Sequence, residues 1–301
     1  KITNLYKTFN PGTVNENRVL NGLNLELAEG DFVTVIGGNG AGKSTLLNAI
    51  AGVWKPDCGS IEIDGASPTK EKTRKNVFFL PDDPYFTHTT TVKSMLDMYL
   101  PHYDVDMASY KRLMEFFALD EKKPLRNFSK GMRRQAYIAI ALSIRPKYLF
   151  LDEAFDGLDP LARHKVKEEL AAMADENGST IIISSHSLRE LEDTCDQLSL
   201  LHKGGLVFES DIQNLKTSLF KVQIAFNTEY DRSKFAGIDI LKFTKHGSVA
   251  NIIVRGDRDV TVAALQHMEP TLLDVLPLTL EEVFTYEMEA LGYDFSAVLE
   301  G

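Results

Sequence analysis

The sequence predicts an α/β protein with a mostly parallel sheet at its core, a helical insert, and a small α+β appendage at the carboxy-terminal end. Three observations carry this. Tyr148-Leu149-Phe150-Leu151 and Thr180-Ile181-Ile182-Ile183 are unbroken apolar runs of the kind needed by strands buried on both faces. The segment between them reads as one helix from Pro160 to Glu176, with proline at its start and Asn177-Gly178 beyond its end. Strand, helix and strand in that order make a parallel unit. Finally, 301 residues with 44% hydrophobic content supply roughly two cores, at about 150 residues each.

The remaining elements follow in chain order. Asn24-Leu25-Glu26-Leu27 alternates as a strand, Ala28-Glu29-Gly30 turns, and Asp31 to Gly37 is a β-branched run closed by glycine. A glycine-rich loop and a helix from Ser44 to Gly52 come next. Lys55 to Ser60 has turn chemistry, and Ile61-Glu62-Ile63-Asp64-Gly65 reads as a short alternating strand. Helical periodicity takes over from Thr91, with Met95, Leu96 and Tyr99, then Leu113, Phe116 and Phe117, then a helix from Ser129 to Ile144. These define a helical subdomain of about residues 88–146. Near Lys216 the character shifts: 220–226, 238–245, 248–254 and 272–276 read as strands, and 260–268 and 280–290 as helices. The expected division is 1–216 and 217–301. The second part holds 7 Lys plus Arg against 13 Asp plus Glu, so it carries more than half of the net charge of −10.

That charge disfavours a general DNA or RNA coat, and no nucleic-acid partner is expected. The longest apolar run, Ala136 to Leu142, is far short of the ~18–20 residues that span a bilayer. The first residues, Lys1 to Tyr6, show neither an initiator Met nor the apolar core of a secretory signal, and read as the trimmed start of a cytoplasmic product. Cys58 and Cys195 fit a reducing compartment and are too few for a zinc site.

Chemistry concentrates at the ends of the apolar strands. Gly37-Gly38-Asn39-Gly40-Ala41-Gly42-Lys43-Ser44 matches the phosphate loop G-x-x-x-x-G-K-[ST], after a strand and before a helix as its mechanism requires. Its glycines let backbone N–H groups face inward, the helix start adds positive potential, and Lys43 sets an ammonium against the β- and γ-phosphates. Ser44 offers a hydroxyl to magnesium, and Thr45 completes the cofactor-binding stretch. Asp152 and Glu153 end the strand at 148–151; Asp152 suits magnesium, through a water, and Glu153 suits the general base that polarises the attacking water. His186 follows the next strand and should emerge on the same sheet edge, within reach of the γ-phosphate. The adjacent Glu points to hydrolysis of ATP.

Read with Phe128-Ser129-Lys130-Gly131-Met132 and Gly157-Leu158-Asp159, these pieces closely resemble the ATP-binding subunit of an ABC transporter over about residues 1–215. The resemblance implies a P-loop NTPase core with an antiparallel β subdomain and a helical subdomain, plus the C-terminal α+β domain. It implies ATP and magnesium as cofactors. It further implies that two ATP-binding subunits, identical or related, pack head to tail, so that Ser129 and Gly131 of one close over the nucleotide of the other. Phe9 would stack on the adenine, with Tyr6 as competing candidate; Asp159 would communicate across the dimer; and Asp82, in the loop Leu80 to Pro84, would sense magnesium and a membrane partner. Three departures stand out: Gly38 for the usual Pro, Ser-Lys-Gly-Met for Ser-Gly-Gly-Gln, and Asp82 for Gln. Pro277-Leu278-Thr279-Leu280-Glu281-Glu282-Val283-Phe284 resembles the Leu-Glu-Glu-Val-Phe ending of bacterial ATPase subunits that serve separate-chain exporters. The implied function is an ATPase on the cytoplasmic face of the membrane driving a separate transmembrane permease. The alternative is a soluble relative acting on ribosomes or DNA, but those carry two cassettes or long coiled coils, and this chain has one cassette and no heptad insert.

Overall fold

The structure, a computed structural model, describes residues 1–188 and 195–293; the end of the predicted appendage, 294–301, lies outside the described residues. The chain divides into two compact units, one formed by Lys1–Glu209 and the other beginning at Ser210. That break precedes the compositional shift at 216 because a short helix, α7 (Ile212–Ser218), belongs with the second unit.

The first unit is built on a six-stranded sheet. Its strands are β3 (Phe32–Ile36), β5 (Val77–Leu80), β6 (Tyr148–Asp152), β7 (Thr180–Ser185), β8 (Gln197–His202) and β9 (Gly205–Asp211), in the order β5-β6-β7-β3-β8-β9. The pairings β5–β6, β6–β7, β7–β3 and β3–β8 are parallel. Every residue of β3, β6 and β7 is buried, as their apolar runs require. A separate antiparallel sheet, β2-β1-β4, joins β1 (Ile2–Phe9), β2 (Asn17–Leu25) and β4 (Cys58–Ile61). Leu5, Leu20, Leu23, Leu46, Leu47, Val35 and Phe150 pack together between them.

After the one-turn helix α2 (Glu71–Arg74), the helical insert comprises α3 (Val92–Tyr99), α4 (Met107–Phe116) and α5 (Lys130–Ile144). Local chemistry sets their starts: Thr91 and Ser94 form a capping box, Asp106 caps α4, and the Ser129 hydroxyl accepts from the Met132 N–H at 3.1 Å. Helix α6 (Pro160–Asn177) is capped by Asp159 and stopped by Gly178 at φ +63°. Helix α1 (Lys43–Ile50) differs, because its N-cap is Gly42, which has no side chain to satisfy the first N–H groups.

Two expectations need correction. The strand expected at Ile61 to Gly65 lies at Cys58–Ile61, and beyond it only Ile63 bridges Ala66. Gly59, which reads as a turn residue, sits at φ +86° where a Cβ would lie 2.2 Å from the Asn4 carbonyl oxygen. It is glycine because β4 closes on β1 there. The first strand expected at Asn24 begins seven residues earlier, at Asn17, since its outer half pairs with β1 despite being polar.

The second unit holds a four-stranded antiparallel sheet, β11-β12-β10-β13, made from β10 (Leu219–Ala225), β11 (Ile240–His246), β12 (Val249–Arg255) and β13 (Leu272–Leu276). Phe220, Val222, Ile224, Phe235, Ile252, Val254 and Leu265 form its own core. Helices α8 (Arg258–Gln266) and α9 (Leu280–Ala290) complete it, the latter opened by a Thr279/Glu282 capping box.

Candidate active site

Parallel pairing brings the carboxyl ends of β3, β6 and β7 to one edge, where Ile36 lies opposite Ser185 and Asp152 opposite Ser184. Ligand sites of open α/β sheets form at such edges. The loop from Gly37 to Gly42 leaves β3 here. A Cβ on Gly37 would lie 2.4 Å from the Leu201 carbonyl oxygen, and one on Gly42, at φ +109°, 2.8 Å from that of Val19. Both positions exclude larger residues, so the loop closes tightly into α1. Gly38 is buried, Asn39 and Gly40 are exposed, and Ala41 and Thr45 are buried beneath the loop.

Lys43 is buried, and its ammonium donates to the carbonyls of Gly37 at 2.6 Å and Gly38 at 3.2 Å. It also pairs with Glu153 Oε1 at 3.2 Å, while His186 Nδ1 lies 2.9 Å from Glu153 Oε2. One carboxylate thus bridges the two groups that sequence reasoning aims at a γ-phosphate. Glu153 adopts φ +48°, a left-handed conformation that a non-glycine residue rarely takes. The backbone turn redirects its carboxylate toward Lys43 instead of continuing the strand.

Asp152 is buried beside them. Ser184 Oγ donates to its Oδ1 at 2.5 Å and accepts the Glu153 N–H at 3.0 Å. Burial raises the Asp152 carboxyl above the ordinary carboxylate range, against hydrogen bonds from Ser184 and Ser44 that pull it down; the charges of Glu153 and Asp82 add to the rise. Among the described residues no Lys, Arg or His pairs with it. A buried carboxylate next to an exposed serine hydroxyl, with no cation of its own, fits a divalent ion that keeps several waters and takes its other ligands from phosphate. No cluster of three or more His, Cys, Asp or Glu capable of holding a metal occurs among the described residues, so the donor set would be this sparse one.

Asp82 is nearby but engaged: its carboxylate pairs with Arg134 of α5, which is only 3% exposed in its side chain and also donates to the Pro81 carbonyl at 3.4 Å. Ser129 and Gly131 start α5 facing the loop after β6; a Cβ on Gly131 would lie 2.6 Å from the Gly157 carbonyl oxygen. Asp159 caps α6 through the Ala162 N–H at 2.9 Å and receives Gln135 Nε2 at 3.4 Å. Phe9, at the end of β1, meets the single tryptophan, Trp54, edge to face at 5.0 Å between centroids. Tyr6 instead lays its hydroxyl over Gly22. The structure therefore gathers Lys43, Ser44, Asp152, Glu153 and His186 directly, with Asp82 adjacent.

Sequence reasoning misses Ser184, Arg134, Asp156 and Trp54. Only Ser184 leaves a signal: aligning the two apolar runs in parallel from Tyr148 and Thr180 sets it opposite Asp152.

Comparison with known proteins adds a second line. The family model described as ABC transporter matches residues 20–156. The chain is 28% identical over 275 residues to the ABC transporter ATP-binding protein YtrB of Bacillus subtilis (strain 168), covering 90% of this chain and 93% of that protein. It is 32% identical to the lantibiotic transport ATP-binding protein SrtF of Streptococcus pyogenes, covering 75% of this chain and 97% of that protein. A solved ATP-binding subunit of an ABC transporter superposes with a TM-score of 0.62 at 29% identity, over 71% of this chain and 90% of the other. With a phosphate loop, paired carboxylates and a histidine on one sheet edge, and relatives matched over nearly their whole length, the chain belongs to the ATP-binding proteins of ABC transporters and is an ATPase.

Proposed function

We propose that the site at Lys43, Glu153 and His186 hydrolyses magnesium ATP between two head-to-tail subunits and drives a separate membrane permease, in the export direction. The observation that carries the reading is the bridging of Lys43 and His186 by the Glu153 carboxylate, since the same two groups would meet a terminal phosphate. The loop N–H groups, the open start of α1 and Lys43 bind the phosphates, with Thr45 beside them. Ser44 and Asp152 would hold magnesium, which when bound neutralises phosphate charge and orients the terminal group. Asp82 could join them only by loosening its pair with Arg134.

Displaced from Lys43 by the phosphates, Glu153 becomes free to accept a proton from water. His186 orients that carboxylate through Nδ1 and meets the γ-phosphate. Phe9, backed by Trp54, offers the adenine a stacking face. Ser129 and Gly131, at the start of α5, supply the anion site that closes on the partner's nucleotide, and Asp159 lies beside it. Among the described residues no helix is long and apolar enough to cross a membrane; the name of the Streptococcus relative supports transport. The exporter reading rests on the segment 277–284, which runs through the Thr279 cap into the start of α9. The unit Lys1–Glu209 would act as the ATP-binding domain, and the unit from Ser210, which takes in most of the appendage expected at 217–301, as its accessory domain.

Glu153→Gln tests this. It should lower kcat by about 10²- to 10⁴-fold, the usual contribution of a general base, leave ATP binding intact, and accumulate an ATP-bound dimer. Wild-type turnover in that variant would remove Glu153 as the base.

A further inference from the structure

The start of α5 is joined to the loop after β6 at three successive points. Lys130 Nζ pairs with Asp156 Oδ2 at 2.6 Å, Gly131 abuts the Gly157 carbonyl, and Gln135 reaches Asp159. The backbone contact at Gly131 sets how closely the two segments approach, but it has no direction along the surface. The ion pair supplies one, because it fixes which residue of the loop lies under the first turn of the helix. Lys130 and Asp156 are 65% and 40% exposed in their side chains, so neither fills core space. The pair also belongs to a row of alternating charge: Arg134, one turn along α5, holds Asp82 on the other side. The lysine hydrogen bond holds the Asp156 carboxyl below its ordinary range, and the fields of Arg134 and His186 reach it too.

We infer that Lys130 and Asp156 are positioning residues: their ion pair locks the anion site at Ser129 and Gly131 to the loop that begins with Glu153 of the same chain. The inference rests on the composite site proposed above. Each α5 start would then be placed over the partner's nucleotide by the loop carrying its own general base. Neither side chain touches the reacting atoms in this arrangement. Lys130 spends its charge on Asp156 and not on the incoming phosphate.

A charge exchange in the full chain decides it. Lys130→Asp and Asp156→Lys alone should each lower kcat by about 10- to 100-fold, the scale of an ångström-sized misplacement at a reacting centre. ATP affinity of the single chain, read from Trp54 fluorescence, should stay within about twofold, because Lys43 and its loop are untouched. The double variant should recover most of the lost kcat, and Lys130→Arg should keep it. Thermal melts of all four variants establish that they fold. Two results would overturn the proposal: single variants that turn over like wild type, or a double variant no better than the singles, which would assign Lys130 directly to phosphate. Failure of the composite site itself would appear elsewhere, as a Ser129→Ala variant with normal turnover.

Discussion

Asp152 illustrates at the scale of one residue how function and stability diverge. The carboxylate is buried, accepts from Ser184 and Ser44, and has no cationic partner among the described residues. Its folded-state pKa is raised, so the folded chain holds that proton more tightly than the unfolded chain does. Stability therefore falls as pH rises from the ordinary carboxylate value through the raised one, and the loss persists at neutral pH. Asp152→Asn keeps an acceptor for Ser184 and removes the charge. We expect it to raise the melting temperature of the first unit in nucleotide-free protein at pH 7, on a scale of about 2–4 °C per kcal/mol for a unit of roughly 200 residues, while ATP hydrolysis collapses. The gain should shrink as the pH is lowered toward the carboxylate range. A variant less stable than wild type at pH 7, measured by calorimetry, would mean that Asp152 is already compensated. Glu153 shows the same tension in its backbone, where φ +48° is kept because the turn aims a carboxylate at Lys43 and His186.

At the scale of elements, α5 carries two jobs on one cap. Ser129 Oγ satisfies the Met132 N–H in the isolated chain and is also the group proposed to face the partner's phosphate. Ser129→Ala should therefore cost about 1 kcal/mol of stability as a lost N-cap, and separately reduce turnover by about 10²- to 10³-fold as a lost phosphate donor. Denaturant unfolding and steady-state kinetics read the two effects independently. If stability falls and turnover does not, the serine is a cap alone. The pieces legible in the sequence share a property with this cap: their meaning is local. The glycine spacing before Lys43, the acids that end β6, and the proline and Asn177-Gly178 that bound α6 are set by neighbours a few residues away. The partners of Asp82 and Lys130 were not legible, because Arg134 and Asp156 lie 52 and 26 residues distant and meet them only after α5 docks. Strand β4 lies away from its expected position for a related reason. The alternation at Ile61 to Ile63 suggests a strand there, whereas pairing with β1 selects Cys58–Ile61 and needs Gly59 for close approach. The strand pattern likewise identifies none of β1, β5, β8 and β9, of which β1, β5 and β8 pair with partners from remote parts of the chain.

At the scale of the whole molecule, each unit has, among the described residues, a hydrophobic cluster that shares no residue with the other's, one around Leu5, Leu47 and Phe150 and one around Val222, Ile224 and Ile252. Separate cores give separate sources of cooperativity, since each unit buries its own apolar surface. Everything assigned to the nucleotide lies within Lys1–Glu209, so ligand binding should stabilise that unit by mass action and leave the other where it was. At 100 times the dissociation constant the gain is about 2.7 kcal/mol. For a unit of roughly 200 residues that corresponds to a rise of about 5–10 °C. The measurement is differential scanning calorimetry of the full chain in the Glu153→Gln background, with and without magnesium ATP, so that turnover does not deplete the ligand. Two transitions are expected, of which one moves. Hydrogen exchange at the same nucleotide concentration assigns the moving transition: protection should grow in β3, α1, β6 and β7 and stay constant in β10 and β12. A single transition that shifts as one would show that the second unit unfolds only with the first, and the nucleotide's reach would then extend over the entire chain.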